Sequence, residues 1–286
     1  MNAVGTARFA PQWLRLREAA DATARSPELL GPLAARLARE RRPPGRTFVC
    51  DAGCGTGSMG RWLAGRLPGP QHWYLHDHDP GLLGLAVAGM PRVSADGGPV
   101  TAVARPGDIT RLRAADLAGT SLVTASALLD LLTAEEVDGL AAACCGAGCP
   151  ALLTLSVAGR VGLFPADPLD GEIAAAFDDH QRRVVRGRRL LGPDAADVTA
   201  RAFRRRGAEV LVRPSPWRLG ASHRALTAEW LTGWVGAARE QRPDLAGRAD
   251  AYLRRRLEAC ATGGLRVVVH HVDLLALPAV PGGGRG

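Results

Sequence analysis

The sequence predicts an α/β domain in which helices cover both faces of a seven-stranded, mostly parallel sheet. From residue 45 onwards, strand-like apolar runs alternate with helix-like runs, which is the pattern of a parallel sheet with covered faces. The first such run, Phe48-Val49-Cys50, leads directly into a glycine-rich turn. With 286 residues, of which 47% are hydrophobic and 22% charged, the chain is long enough for one large domain with a sizeable core.

The chain is expected to begin with a helical cap over residues 1–45, followed by the sheet domain over residues 46–286. The cap is rich in arginine, and its second helix is predicted over residues 28–40. This helix should end before Arg42-Pro43-Pro44-Gly45, because proline and glycine interrupt helices.

Seven short apolar segments are predicted to form the strands of the sheet. They are residues 48–50, 73–76, 100–104, 121–126, 151–157, 209–213 and 265–269. Asp79 and Pro80 are suited to the N-cap and first position of the helix that follows the second strand. Thr133 and Glu136 have the spacing of a capping box before a later helix.

Residues 158–192 separate the fifth strand from the next predicted helix. A stretch of this length is more than an ordinary connector, so a lid or substrate-pocket insertion is expected here. It contains Asp178 and His180, which are two candidates for proton transfer.

The net charge of +8 does not by itself indicate a nucleic-acid partner. All 36 basic residues are arginine and none is lysine, so compositional bias is the simpler explanation. The six cysteines lack the paired C-x-x-C spacing of a zinc site, and no metal is expected. Without a signal-peptide layout or an apolar run of about 18 residues, a cytoplasmic protein that does not bind membranes is expected.

The segment Asp51-Ala52-Gly53-Cys54-Gly55-Thr56-Gly57 joins the first strand to a helix. Glycine has no side chain, so a ligand can approach the bare backbone at such a turn. Gly55, Gly57 and Gly60 also satisfy the G-x-G-x-x-G pattern of dinucleotide-binding proteins. An NAD-dependent oxidoreductase is therefore one alternative.

Three carboxylates at successive strand ends favour a different ligand. Asp51 precedes the first glycine and is suited to receive an ammonium group, whereas Asp77 follows Gly57 by 20 residues, the spacing of a ribose-binding acid. Asp108 and Ile109 follow the third strand, where they are suited to contact an adenine ring. An ammonium, a ribose and an adenine without a phosphate describe S-adenosylmethionine (SAM).

The segment from Asp51 to Gly57 resembles motif I of the class I SAM-dependent methyltransferases, and the resemblance extends over residues 45–157. It implies a Rossmann-like fold with strand order 3-2-1-4-5-7-6, in which the end of the fourth strand faces the methyl group. The cofactor-binding residues that it implies are Asp51, Ala52, Gly53, Cys54, Gly55, Thr56, Gly57, Asp77, His78, Asp108, Ile109 and Ser126.

The resemblance implies methyl transfer, and a small-molecule acceptor, for instance in secondary metabolism, is preferred. The fourth strand lacks the Asn/Asp-Pro-Pro-Tyr motif of amine-methylating nucleic-acid enzymes, and there is no Pro-Cys pair of the cytosine-5 type. An RNA methyltransferase and a non-catalytic SAM-binding protein remain alternatives. Asp130, beyond the fourth strand, and His180 are the candidate catalytic bases; the oligomeric state and the methylated atom stay open.

Overall fold

An eight-stranded sheet forms the centre of the structure, a computed structural model that describes residues 10–40 and 45–279. Its strands are β1 (Thr47–Ala52), β2 (Gln71–Asp77), β3 (Val100–Pro106), β4 (Leu122–Ser126), β5 (Ala151–Phe164), β8 (Glu209–Pro214), β9 (Trp217–Leu219) and β10 (Arg266–Leu277). A separate two-stranded hairpin consists of β6 (Val184–Val185) and β7 (Arg188–Arg189).

The strand order is β3-β2-β1-β4-β5-β10-β8, with β9 also paired to β10. This confirms the expected order 3-2-1-4-5-7-6 and the mostly parallel α/β sheet. Strands β3, β2, β1, β4 and β5 pair in parallel, whereas β10 is antiparallel to each of its partners.

The expected count of seven strands was wrong, because β10 is long enough to serve two partners in succession. Its first half pairs with β9, with Val269 opposite Trp217, and its second half pairs with β8. Only three residues long and preceded by Pro216, β9 is too short to show a period in the sequence.

Helices cover both faces of the sheet, as predicted. They are α1 (Pro11–Ala24), α2 (Leu30–Glu40), α3 (Ser58–Ala64), α4 (Pro80–Gly89), α5 (Ala134–Gly146), α6 (Asp170–Gln181), α7 (Ala195–Arg204), α8 (Arg224–Gln241) and α9 (Ala246–Ala261). One core cluster contains residues of α2, α3 and α4, and a second contains residues of α5 and α7. A third lies between the pair β9–β10 and helices α6, α8 and α9.

Two predicted helix starts are confirmed. Asp79 is the N-cap of α4 and accepts a hydrogen bond from the Gly81 amide at 2.8 Å. Thr133 and Glu136 form a reciprocal capping box at the start of α5. None of the described helices is long and apolar enough to cross a membrane.

The first part of the stretch 158–192 belongs to β5, which continues to Phe164; the role of this stretch as a lid or substrate-pocket insertion stays a prediction. The rest of the stretch holds α6 and the β6–β7 hairpin. Helices α1 and α2 fall in the expected cap. The division at residue 45 stays a prediction, and residues 1–9, 41–44 and 280–286 of the predicted domains lie outside the described residues.

A buried carboxylate, Asp273 of β10, joins three parts of the fold. Leu155 interrupts the regular backbone of β5 with φ at 58°, and its amide donates to Asp273 Oδ1 at 2.8 Å. The amide of Ser26, just after α1, donates to Asp273 Oδ2 at 2.8 Å. Asp273 therefore attaches the end of α1 to the irregular part of the sheet.

We predict that Asp273→Ala lowers the free energy of unfolding by about 2–6 kcal/mol, because two buried amides lose their acceptor. Urea denaturation measures this change. The matched control is Asp244→Ala, which removes an exposed carboxylate paired with Arg242 at the surface and should change stability little. Equal unfolding midpoints for the parent and Asp273→Ala would contradict the proposed junction.

Candidate cofactor and active site

The candidate site lies where the connections of the sheet reverse direction. Strand β1 stands between β2 and β4, so the chain runs one way from β1 to β3 and the other way from β4 onwards. In open α/β sheets, ligands bind outside the carboxyl ends of the strands at this point. Asp51, near the end of β1, pairs across the sheet with Leu75 and Thr124.

The turn after β1 has the conformation that its glycines allow. Gly53, Gly55 and Gly57 have φ values of 66°, 54° and 85°, in the left-handed region where other residues are strained. The Cys54 amide donates to the carbonyl of His76 in β2 at 2.9 Å, which fastens the turn to the neighbouring strand.

Apolar side chains from two other segments lie against this turn. A Cβ atom on Gly53 would lie 3.0 Å from Leu128, which follows β4, and one on Gly55 would lie 3.3 Å from Leu14 of α1. Glu18 of α1 also pairs with Arg61 of α3 at 2.6 Å. Helix α1 therefore covers the glycine-rich turn.

Asp51 is a fully buried carboxylate with one oxygen unpaired. Its Oδ1 accepts a hydrogen bond from Thr124 Oγ1 at 2.7 Å, whereas Oδ2 has no hydrogen-bond partner among the described residues. Burial raises the pKa of Asp51 to about 7, although the Thr124 hydroxyl and the charge of Arg25 act in the opposite direction. An unpaired buried oxygen is costly, and a cationic donor such as an ammonium group fits it.

Asp77, at the end of β2, is oriented by two backbone amides. Gly55 donates to Oδ2 at 2.9 Å and Asp79 donates to Oδ1 at 3.0 Å. Each carboxylate oxygen has a further lone pair, so the Asp77 carboxylate can still accept hydrogen bonds from the hydroxyls of a ribose. His78 lies beside it with an exposed ring, 3.4 Å from Oδ1 to Nδ1.

Asp108 and Ile109 do not join this buried group. Asp108 is about half exposed and starts a short 3₁₀ helix, where Oδ1 accepts from the amide and hydroxyl of Thr110 at 3.0 and 2.7 Å. The hydroxyl bond lowers the pKa of Asp108. Ile109 is partly buried against the core beneath α5. Their contact with an adenine stays a prediction, based on position after β3.

Ser126, at the end of β4, meets a residue that sequence reasoning missed. Its Oγ accepts hydrogen bonds from Arg25 Nη2 and from Thr154 Oγ1, both at 3.0 Å. The same Arg25 nitrogen donates to Ser58 Oγ at 3.2 Å, and the guanidinium lies 5.5 Å from the ring centroid of Trp62. No local sequence signal distinguishes Arg25 from the many other arginines of the cap.

Asp130 lies in a short 3₁₀ helix (Leu129–Leu131) directly after β4. Although its surface is partly accessible, desolvation raises the pKa of Asp130 to about 6, while the charges of Arg17 and Arg183 act to lower it. This combination indicates a recess rather than open surface. Arg17 belongs to α1 and Arg183 follows α6, so the recess lies near both the cap and the insertion.

His180 has both ring nitrogens engaged. Nε2 contacts Glu240 Oε2 at 3.3 Å, and Nδ1 contacts Arg183 Nη1 at 3.1 Å. Because arginine can only donate, these partners favour the tautomer that carries its proton on Nε2. Burial lowers the pKa of His180. This arrangement favours a role in positioning Arg183 over direct proton transfer.

An aromatic cluster lies around Arg17. The Arg17 guanidinium stands 4.8 Å from the ring centroid of Trp217 and 5.8 Å from that of Trp13, and it pairs with Asp21 at 2.9 Å. The buried His271 lies 5.3 Å from Trp217 between ring centroids, and burial lowers its pKa to about 3. Sequence reasoning missed this cluster, because its members come from α1, β9 and β10.

The cysteines offer no metal chemistry in the part of the chain that the structure describes. All six are free thiols, and all but Cys145 are buried. Within residues 10–40 and 45–279, no group of three His, Cys, Asp or Glu side chains is arranged to hold a metal ion.

No protein-family model matches the chain. No curated protein matches it in sequence. Among solved structures, it is similar to a SAM-dependent methyltransferase from Geobacter sulfurreducens in complex with S-adenosyl-L-homocysteine: 17% identity, covering 94% of this chain and 99% of that one, with a TM-score of 0.41. It is also similar to a cyclopropane synthase from Mycobacterium tuberculosis, with 12% identity, 86% and 83% coverage and a TM-score of 0.44. Similarities this low carry no argument about fold or function, which rest on the chain's own topology and side chains.

We predict a specific pH dependence for the ligand-free protein from Asp51. Its pKa is raised from 3.8 to about 7, so above pH 4 the unfolded state has lost a proton that the folded state keeps. The contribution of Asp51 to stability therefore falls as pH rises from about 4 to 7. Asp51→Asn removes this loss. Between pH 4 and 7, the free energy of unfolding of Asp51→Asn relative to the parent should therefore increase, by about 1.4 kcal/mol for each unit by which the pKa of Asp51 is raised.

Urea denaturation at pH 4, 5.5 and 7 measures the difference, and the comparison with the parent cancels every other titrating group. A difference that stays constant with pH, or that shrinks towards pH 7, would contradict a raised pKa at Asp51.

Proposed function

We propose that this chain is a SAM-dependent methyltransferase acting on a small-molecule acceptor. The observation that carries the proposal is the buried Asp51, which keeps one oxygen unpaired at the reversal point of the sheet beside a glycine-rich turn. A buried carboxylate oxygen without a hydrogen-bond partner costs free energy and does not stabilise the ligand-free fold. A cationic ligand at this place gives it a partner.

The residues around Asp51 fit the remaining parts of SAM. Asp77, held by the amides of Gly55 and Asp79, is assigned to the two ribose hydroxyls. The glycine-rich turn lets the ligand lie against backbone, and Asp108 with Ile109 is assigned to the adenine. Ser126 marks the end of β4, towards the reacting methyl group.

Bound SAM supplies a sulfonium-linked methyl group that is already strongly electrophilic. The chain then has to orient the acceptor, exclude water and remove a proton where the acceptor carries one. Asp130 is assigned to the last task, because its raised pKa of about 6 makes it a better base than an ordinary aspartate while leaving it ionised near neutral pH.

A small molecule is the preferred acceptor because the recess around Asp130 has neighbours from both α1 and the insertion. Arg17 of α1 and Arg183 after α6 both bring positive charge to the surroundings of Asp130, which suits an acceptor with an acidic or electron-rich group. Incubation with SAM and fractionated metabolites, followed by mass analysis for a methyl increment, tests this assignment. A methyl increment on RNA alone would replace the small molecule by a nucleic acid.

The cofactor assignment predicts that SAM and S-adenosylhomocysteine (SAH) bind in calorimetry and that NAD does not. Asp77→Asn should weaken SAH binding about 10- to 100-fold, because a charged acceptor for the ribose is lost. The matched control is Asp79→Asn, the next acid along the chain, whose carboxylate caps α4. It should leave the affinity within about threefold.

Two results would contradict this cofactor assignment. One is binding of NAD without binding of SAM or SAH, which would favour the dinucleotide alternative. The other is an equal loss of SAH affinity in Asp77→Asn and Asp79→Asn, which would make Asp77 a structural residue.

The base assignment predicts that Asp130→Asn lowers turnover of the identified acceptor at least ~100-fold and leaves SAM affinity nearly unchanged. In the parent, kcat should rise with pH and level off above about 6, since Asp130 must be ionised. The control Asp179→Asn removes an exposed carboxylate of α6 and should keep turnover within about twofold. If Asp130→Asn keeps normal turnover and His180→Ala loses it, the general base belongs to the stretch 158–192 instead.

A further inference from the structure

Arg25 is a buried cation that the fold does not satisfy. The residue is 2% exposed, and neither Nε nor Nη1 has a hydrogen-bond partner among the described residues. Only Nη2 is engaged, with the hydroxyls of Ser58 and Ser126. Burial lowers the pKa of Arg25. A buried guanidinium in this state costs free energy that its own contacts do not return.

The two carboxylates whose charges act most strongly on Arg25 are already used by other groups. Asp21 pairs with Arg17 and accepts a hydrogen bond from Trp217 Nε1 at 2.9 Å. Asp273 accepts hydrogen bonds from two backbone amides. None of the described carboxylates forms an ion pair with Arg25. The protein therefore places a cation here and leaves its counter-ion to come from elsewhere.

The position of Arg25 identifies where that counter-ion binds. Ser58 directly follows the glycine-rich turn, and Ser126 ends β4, so the guanidinium lies between the two segments that border the proposed cofactor site. Asp51, with its own unpaired oxygen, is close enough for the two charges to affect one another. A buried carboxyl and a buried guanidinium, each with polar atoms that have no hydrogen-bond partner among the described residues, thus lie within electrostatic range of one another.

We infer that Arg25 binds the α-carboxylate of SAM, while Asp51 binds its α-amino group. The inference rests on the proposed function. An α-amino acid is a zwitterion, and a buried carboxylate beside a buried guanidinium is complementary to it in charge. Unlike the residues of motif I, Arg25 belongs to the N-terminal helical segment, so this segment becomes part of the cofactor site rather than a mere cover.

Binding of a ligand with the amino-acid tail and of a ligand without it tests the inference without any measurement of activity. SAH carries the tail, whereas 5′-methylthioadenosine has the same adenosine and sulfur without it. Calorimetry of both ligands is performed on the parent and on Arg25→Met. The expected result is a loss of SAH affinity of at least ~10-fold, with the affinity for 5′-methylthioadenosine kept within about twofold.

Arg36→Met is the matched control. Arg36 is an equally buried arginine of α2, but it donates to the backbone carbonyls of Pro278 and Gly148, away from the glycine-rich turn. Its replacement should leave the ratio of the two affinities unchanged. If Arg25→Met does not fold, Arg25→Lys keeps a charge at the position and should show a smaller loss of SAH affinity at constant 5′-methylthioadenosine affinity.

Four results would overturn the inference. SAH affinity that is unchanged in Arg25→Met removes the role of the guanidinium. An equal loss for both ligands makes Arg25 a general structural residue. If the parent binds both ligands equally tightly, the amino-acid tail of SAH has no binding site, but the proposed function still stands. If the parent binds neither ligand, the proposed function is contradicted as well.

Discussion

The attachment of α1 to the sheet through Asp273 is the constraint on which the candidate site depends. Ser26 is held by the carboxylate of β10, and Arg25 is the residue directly before it. The same carboxylate holds the Leu155 amide where β5 departs from regular geometry. A single buried acceptor thus attaches the end of the N-terminal helix to the sheet, and Arg25 at this end reaches Ser126 at the carboxyl edge of β4.

The structure keeps two charges at this edge that do not stabilise the ligand-free fold. The raised pKa of Asp51 and the lowered pKa of Arg25 both have desolvation as their largest cause. Replacing such groups by apolar residues of similar size is often neutral or stabilising. Their retention is the observation that supports the proposed ligand, and both residues lie next to the glycine-rich turn.

The sheet could be predicted from the sequence because its strands are short apolar runs separated by local signals. Asp79 and Thr133 begin their helices by hydrogen bonds within three residues, so those starts were also predictable. The motif residues from Asp51 to Gly57 share one turn. By contrast, β9 depends on the length of β10, and Arg25 meets Ser126 across 101 residues of chain. Contacts of that kind arise only from packing, and no hydrophobic period or motif in the sequence predicts them.

Helix α1 connects the two halves of the proposed reaction. Its Leu14 lies against the glycine-rich turn, its Arg17 acts on Asp130 and stacks on Trp217, and Arg25 follows its last turn. These three residues extend along α1 and its C-terminal end, from the proposed acceptor recess at Asp130 to the proposed site of the amino-acid tail of SAM. Because a helix moves largely as one body, a ligand that fixes Arg25 also fixes Arg17 beside Asp130. Under the proposed function, a cofactor bound to Arg25 therefore also holds in place the charge of Arg17, which acts on the proposed base Asp130.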